Sequence, residues 1–185
     1  MILASGSPRR KELLQMLEVP FEVLVSDTKE VITKNEPAEV TKELSYQKAM
    51  AVAGQVEEGI IIGADTVVSI DGKILGKPAD TEEAREMIYK LQGKSHMVYT
   101  GVTVIAKSGD MVSASSFAEG TKVNVAPMTE NEIEAYISTD EPYDKAGAYG
   151  IQGLFGKFIE GIKGDYFNVV GLPVHRLYEE LKKFD

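Results

Sequence analysis

Apolar residues along this chain alternate between two spacings, and each change of spacing marks an element. Residues 1–4 form a short apolar run that predicts a strand. From residue 8 to about 17, Leu13, Leu14 and Leu17 fall on one side of a helix. Residues 21–25 predict a second strand. Residues 38 to about 56 are Ala-rich, with Val40, Leu44 and Ala51 close together at helical spacing, so a long helix is expected. Residues 59–63 are apolar throughout, as in a buried central strand. Residues 67–70 and 73–75 flank Asp71-Gly72, a strong type I′ hairpin signal.

The second half continues in the same style. Residues 80–92 predict a helix that stops at Gly93, and 97–106 and 112–126 two long strands joined by the polar turn 107–110. Residues 129–138 predict a helix. Residues 155–162 and 166–170 predict a further hairpin around Lys163-Gly164-Asp165. Residues 172–183 close the chain with Val174, Leu177 and Leu181 on one face. Helices alternating with both buried and hairpin-linked strands indicate an α/β fold with a mixed sheet flanked by helices. No internal repeat, low-complexity tract or linker interrupts the pattern, so 1–185 is expected to be a single domain.

Composition narrows the chemistry. The chain has 185 residues, no Cys, no Trp and two His. Without Cys there is no disulfide framework, thiolate metal site or Cys nucleophile. A formal charge of −9 argues against a general nucleic-acid binder, which needs a basic face. The longest uncharged stretch, 95–106, is half polar and too short for a membrane span of about 18 residues. The first residues do not resemble a secretory signal, so a cytoplasmic protein is expected.

The few cations are unevenly spread. Helices opening at Asp80 and Thr129 begin Asp-Thr-Glu-Glu and Thr-Glu-Asn-Glu, placing carboxylates where the helix dipole favours them. The first helix does the reverse. Ser7 is a good N-cap and Pro8 a good first residue, yet Arg9, Arg10 and Lys11 fill the positive end. Each cation there should cost a few tenths of a kcal/mol, up to ~1, unless an anion docks on the turn. Ala4, Ser5 and Gly6 leave room for a phosphate and add a hydroxyl donor. A solvated basic turn is the alternative.

Gly63-Ala64-Asp65-Thr66 places a carboxylate where the apolar run ends, the usual ligand side of an open α/β sheet. A hard divalent ion, magnesium or manganese, would suit such an acid; an ordinary turn Asp is the alternative. Lys48 borders the apolar stripe of its helix, able to reach inward or to snorkel to solvent. Lys77, between Gly76 and Pro78, occupies a rigid loop position that suits a positioned cation or solvent alike. Residues 144–153 form a Gly-rich loop with few charges. No complete P-loop, G-x-G-x-x-G or G-x-S-x-G occurs, and His96 and His175 have no metal-ligand spacing, so core or surface places are expected for both.

Ser5-Gly6-Ser7-Pro8-Arg9-Arg10, Gly63-Ala64-Asp65-Thr66, Gly76-Lys77-Pro78 and the Asp144–Gly153 loop together resemble the Maf family of nucleoside triphosphate pyrophosphatases, in order, spacing and total length. The resemblance implies a twisted mixed α/β fold like that of the inosine triphosphate pyrophosphatases, with two lobes around a central cleft. It implies hydrolysis of a nucleoside triphosphate to monophosphate and pyrophosphate with Mg2+ or Mn2+. By position, Asp65 would be the general base or a metal ligand and Glu30 a second metal carboxylate. Ser5, Arg10, Lys48 and Lys77 would hold the triphosphate, with Lys48 and Lys77 also placed among the catalytic residues. Arg9, Thr66 and Gln152 resemble the branch acting on dTTP and UTP, whereas the sister branch acting on 7-methyl-GTP tends to carry Gln after the acid and Glu in the late loop. The family also implies a homodimer, and its name derives from inhibited septum formation, so a non-enzymatic regulator that binds nucleotide is the competing class.

Overall fold

The computed structural model describes residues 1–25 and 29–184. Its strands are β1 (Ile2–Leu3), β2 (Glu22–Val23), β3 (Glu58–Ile70), β4 (Lys73–Leu75), β5 (Ser95–Ser108), β6 (Met111–Val125) and β7 (Ile159–Lys163). They form one sheet in the order β2-β1-β3-β5-β6-β7, with β4 paired to β3 off that path. β1 runs parallel to β2 and β3, while β3–β4 and β6–β7 are antiparallel, so the sheet is mixed as the pattern implied. The helices are α1 (Pro8–Gln15), α2 (Pro37–Ala53), α3 (Thr81–Leu91), α4 (Glu130–Ile137), α5 (Tyr166–Val170) and α6 (Val174–Leu181). Among the described residues no helix is long and apolar enough to cross a membrane.

The chain divides into two compact units. The first comprises Met1–Thr66, Thr100–Glu119 and Gly171–Asp185, the second Val67–Tyr99 and Gly120–Val170. In the first, Ile2 and Ala4 at β1, Ile61 on β3 and Ile105 on β5 pack with Ala49, Val52 and Ala53 of α2. In the second, Phe155 is fully buried among Tyr136, Tyr149 and Phe158, within a cluster that includes Ile88 and Leu91 of α3 and Ile133 of α4.

Local signals explain most boundaries. Asp80 caps α3 by accepting the Glu83 N–H at 2.9 Å, and Thr129 with Glu132 forms a reciprocal capping box on α4. Asp71 and Gly72 both adopt positive φ, 51° and 74°, as a type I′ turn requires.

The structure corrects four expectations. Residues 59–63 and 67–70 are not separate strands; β3 runs unbroken from Glu58 to Ile70, with β1 beside Ile61 and Ile62 and β4 beside its last three residues. The second hairpin is absent: residues 154–158 make a 3-10 helix before β7, and 166–170 are helical. There the Asp165 carboxylate accepts the Phe167 N–H at 2.8 Å, and the buried Asn168 amide donates to Val98 O and Thr121 Oγ1. On α2 the buried face includes Thr41, Ser45 and Ala49, with Ala51 only half-buried. On α6, Glu180 is buried where Leu181 was expected, since Ser115 and Lys183 satisfy its carboxylate at 2.5 and 2.7 Å.

Candidate functional site

In the first unit the site begins with a close approach. A side chain on Gly63 would stand 2.2 Å from Ser45 O, and one on Gly101 would stand 2.2 Å from the Thr41 carbonyl carbon. Their bare backbones let α2 rest directly on β3 and β5, and the small residues Thr41, Ser45 and Ala49 on α2 complete the fit. Lys48, beside Ala49, is thereby brought to Asp65, two residues beyond Gly63. Its Nζ bonds Asp65 Oδ1 and also pairs with Glu30 Oε1 at 3.1 Å. The Asp65 side chain is 13 % exposed, Lys48 25 % and Glu30 47 %.

Asp65 itself stands inside β3 rather than at its end. The parallel neighbour is what stops: Leu3 pairs with Ile62, and the Ala4 N–H reaches Ile62 O at 2.8 Å. Past that point β3 continues, so the acid occupies the carboxyl end of β1 on a strand held by other partners.

Glu30 comes from the segment preceding α2, and α2 holds that segment down. The Gln47 amide donates to Val31 O at 2.6 Å and accepts Val31 N–H at 2.9 Å. Glu43 accepts from Thr33 N–H and Oγ1 at 2.8 and 2.5 Å, and the Thr33 bonds lower its pKa below the usual glutamate value. Sequence reasoning missed both residues, although Glu43 and Gln47 lie one helical turn apart just before Lys48.

Arg10 of α1 is similarly enclosed. Its guanidinium donates to Gly171 O at 2.9 Å, Ser5 Oγ at 3.1 Å and Thr66 Oγ1 at 3.0 Å. Thr66 Oγ1 lies 2.8 Å from Thr100 Oγ1. Burial pushes the Arg10 pKa down and the Asp65 charge opposes that shift; an arginine stays cationic regardless. The turn is therefore not strained for want of an anion at Arg10, because protein oxygens already satisfy it. Ser7 occupies the N-cap position without side-chain capping, and its N–H points to Ser5 Oγ at 3.4 Å. Arg9 is half-buried on the same turn.

The second unit carries the other two expected residues. Lys77 is exposed between β4 and α3, and Gln152 is exposed on a turn closed by the Gly153 N–H to Gly150 O bond, 3.1 Å. The Gly147 N–H donates to Gly76 O at 2.9 Å, tying the Gly-rich loop to the one bearing Lys77. His96 is buried with Nε2 2.7 Å from Tyr149 Oη, and burial lowers its pKa to about 4; His175 is exposed. The structure thus gathers Ser5, Arg10, Glu30, Lys48, Asp65 and Thr66 in one unit, and Lys77 and Gln152 in the other.

Among the described residues no cluster of three His, Cys, Asp or Glu side chains could cage a metal. Asp65 and Glu30 nevertheless converge on a single cation, the Lys48 ammonium. Two carboxylates are a sufficient protein donor set for Mg2+ or Mn2+ when waters and phosphate oxygens complete the shell, so the residues fit such an ion.

Known proteins resemble the whole chain. The family model for Maf-like proteins matches residues 1–184. The chain is 54 % identical over 185 residues to a dTTP/UTP pyrophosphatase of Bacillus cytotoxicus and 50 % identical to one of Bacillus cereus, covering 100 % of this chain and 95 % of each relative. The solved structure of the Staphylococcus aureus Ham1 protein shares the fold, with a TM-score of 0.55 and 12 % identity across 100 % of this chain and 98 % of that one. With the family model matched along essentially its full length, the chain belongs to the Maf family.

Proposed function

We propose that the chain hydrolyses dTTP and UTP to the monophosphate and pyrophosphate. The names of its half-identical relatives support this reading. The observation that carries it is the Lys48 ammonium held between Asp65 and Glu30 beside the Arg10–Ser5–Thr66 cluster. These are a carboxylate able to take a proton, a pair of carboxylates able to share a cation, and hydrogen-bond donors for phosphoryl oxygens.

In the proposed reaction a water attacks the α-phosphorus in line, the bond to the bridging oxygen breaks, and pyrophosphate leaves. Asp65 orients the water and accepts its proton. Lys48 and Arg10 offset negative charge spreading over the phosphoryl oxygens, and Ser5 and Arg9 help seat the phosphates. Lys77 neutralises the leaving pyrophosphate. A divalent ion on Asp65 and Glu30 would supply Lewis-acid charge and lower the pKa of the nucleophilic water. The Gln152 amide selects the pyrimidine, since polar groups left unpaired by the wrong base discriminate strongly.

Incubating the protein with Mg2+ and a panel of nucleoside triphosphates including dTTP, UTP and 7-methyl-GTP tests the reading through release of pyrophosphate. Preferential turnover of dTTP and UTP is the expected result. Preference for 7-methyl-GTP would assign the sister chemistry, and nucleotide binding without turnover would leave a regulator.

A further inference from the structure

The proposed function makes Gln152 a reader of the base, and the inference here rests on that role. Gln152 is exposed on the 150–153 turn, so its amide is no better placed than the backbone beneath it. That backbone is pinned by Glu141, a half-buried residue opening the 3-10 helix Glu141–Asp144. One carboxylate oxygen accepts the Leu154 N–H at 2.6 Å and the other the Phe155 N–H at 3.3 Å. The Tyr136 hydroxyl lies 3.2 Å from Glu141 Oε1 and 3.0 Å from Ala148 O. The loop is therefore fastened on both sides of Gln152, at Ala148 before it and at Leu154 and Phe155 after it. A Cβ on Gly153 would stand 2.3 Å from both carboxylate oxygens, so glycine lets the carboxylate come in under the turn. Lys145 bonds the Glu141 main-chain carbonyl at 2.8 Å, and the carboxylate itself serves the loop.

We propose that Glu141 is a positioning residue for base selection, acting through the turn that presents Gln152. The chemistry makes position decisive. Thymine and cytosine exchange donor and acceptor at adjacent ring positions, and rotating an amide exchanges its own. A root held in one place keeps the amide at hydrogen-bond distance from the base edge, where the wrong base leaves polar groups unpaired. Loosening the root takes the amide out of that reach and shrinks the difference between bases.

The test compares kcat/KM for dTTP and dCTP in Glu141→Ala, Glu141→Asp, Glu141→Gln, Gln152→Ala and the Glu141→Ala/Gln152→Ala double variant, with hydrogen exchange at the Leu154 and Phe155 amides. Glu141→Ala should cut the dTTP preference about tenfold, mainly through KM, with faster exchange at both amides. The double variant should be no worse than Gln152→Ala. Glu141→Gln keeps an acceptor for one N–H and should restore most of the preference. Glu141→Asp, one methylene shorter, should behave like the alanine variant and serves if alanine does not fold. If Gln152→Ala loses the preference while the Glu141 variants keep it and only melt earlier, the positioning role is overturned and Gln152 stands. If Gln152→Ala itself keeps the preference, base reading by Gln152 fails and the inference falls with it.

Discussion

The two units present their candidate site residues in opposite ways. In the first, Asp65 and Thr66 stand on a β-strand, Lys48 and Arg10 on helices, and the groups are bonded to one another. In the second, Lys77 and Gln152 rise exposed from loops whose backbone, rather than whose side chains, is tied down. Charges in the first unit are set by sheet register and helix packing, and each has a protein partner: oxygens for Arg10 and Lys48, the Lys48 ammonium for Asp65. Groups on loops keep their freedom and remain hydrated. A ligand bound as proposed would trade existing bonds for new ones at the first set, whereas the second set would only shed water.

Five substitutions put this contrast to the test. Asp65→Asn should lower kcat on dTTP by ~10² or more, the scale of a positioned acid–base group; near-normal turnover at saturating Mg2+ would remove the acid from the chemistry. Gly63→Ala forces a methyl against Ser45 O and should cost about 3 kcal/mol in urea unfolding, with Lys48 displaced from Asp65. His96 probes the second unit's interior. Its pKa of about 4 lies below the usual 6.5, so the unfolded chain binds the proton first as pH falls. Stability present above pH 6.5 should thus be lost towards pH 4, by about 3 kcal/mol, and His96→Phe should flatten that fall. Arg10→Ala strips three bonds and should cost about 2 kcal/mol while raising KM; the cationic turn alone suggested no loss, so unchanged melting would restore the strained-turn view. Lys77→Ala should raise KM several-fold and shift stability by less than about 0.5 kcal/mol. A large melting shift there would erase the difference between the units.

Much of this was legible in the residues. The Asp71-Gly72 turn and the caps at Asp80 and Thr129 follow from local chemistry that needs no distant partner, and the alternation of helices with buried and hairpin-linked strands announced the mixed sheet. Tyr166–Val170 was not, because its β-branched and aromatic residues favour a strand until Asp165 and Asn168 commit it to a helix. The gathering of Ser5, Arg10, Thr66 and Asp65 was foreshadowed by their motifs, but the share taken by Gly171 was not, since a main-chain carbonyl leaves no mark in a sequence. Glu43 and Gln47 resemble any solvated helix face until the segment they hold is seen across them.

The contact of α2 with the sheet has a mechanical meaning. A rod pressed on a surface at one point can pivot; pressed at two, it cannot. Thr41 seats on Gly101 and Ala49 on Gly63, eight residues apart along the helix, or about 12 Å. The helix therefore acts as a fixed rail, and Lys48 travels only as far as its own four side-chain torsions swing its ammonium.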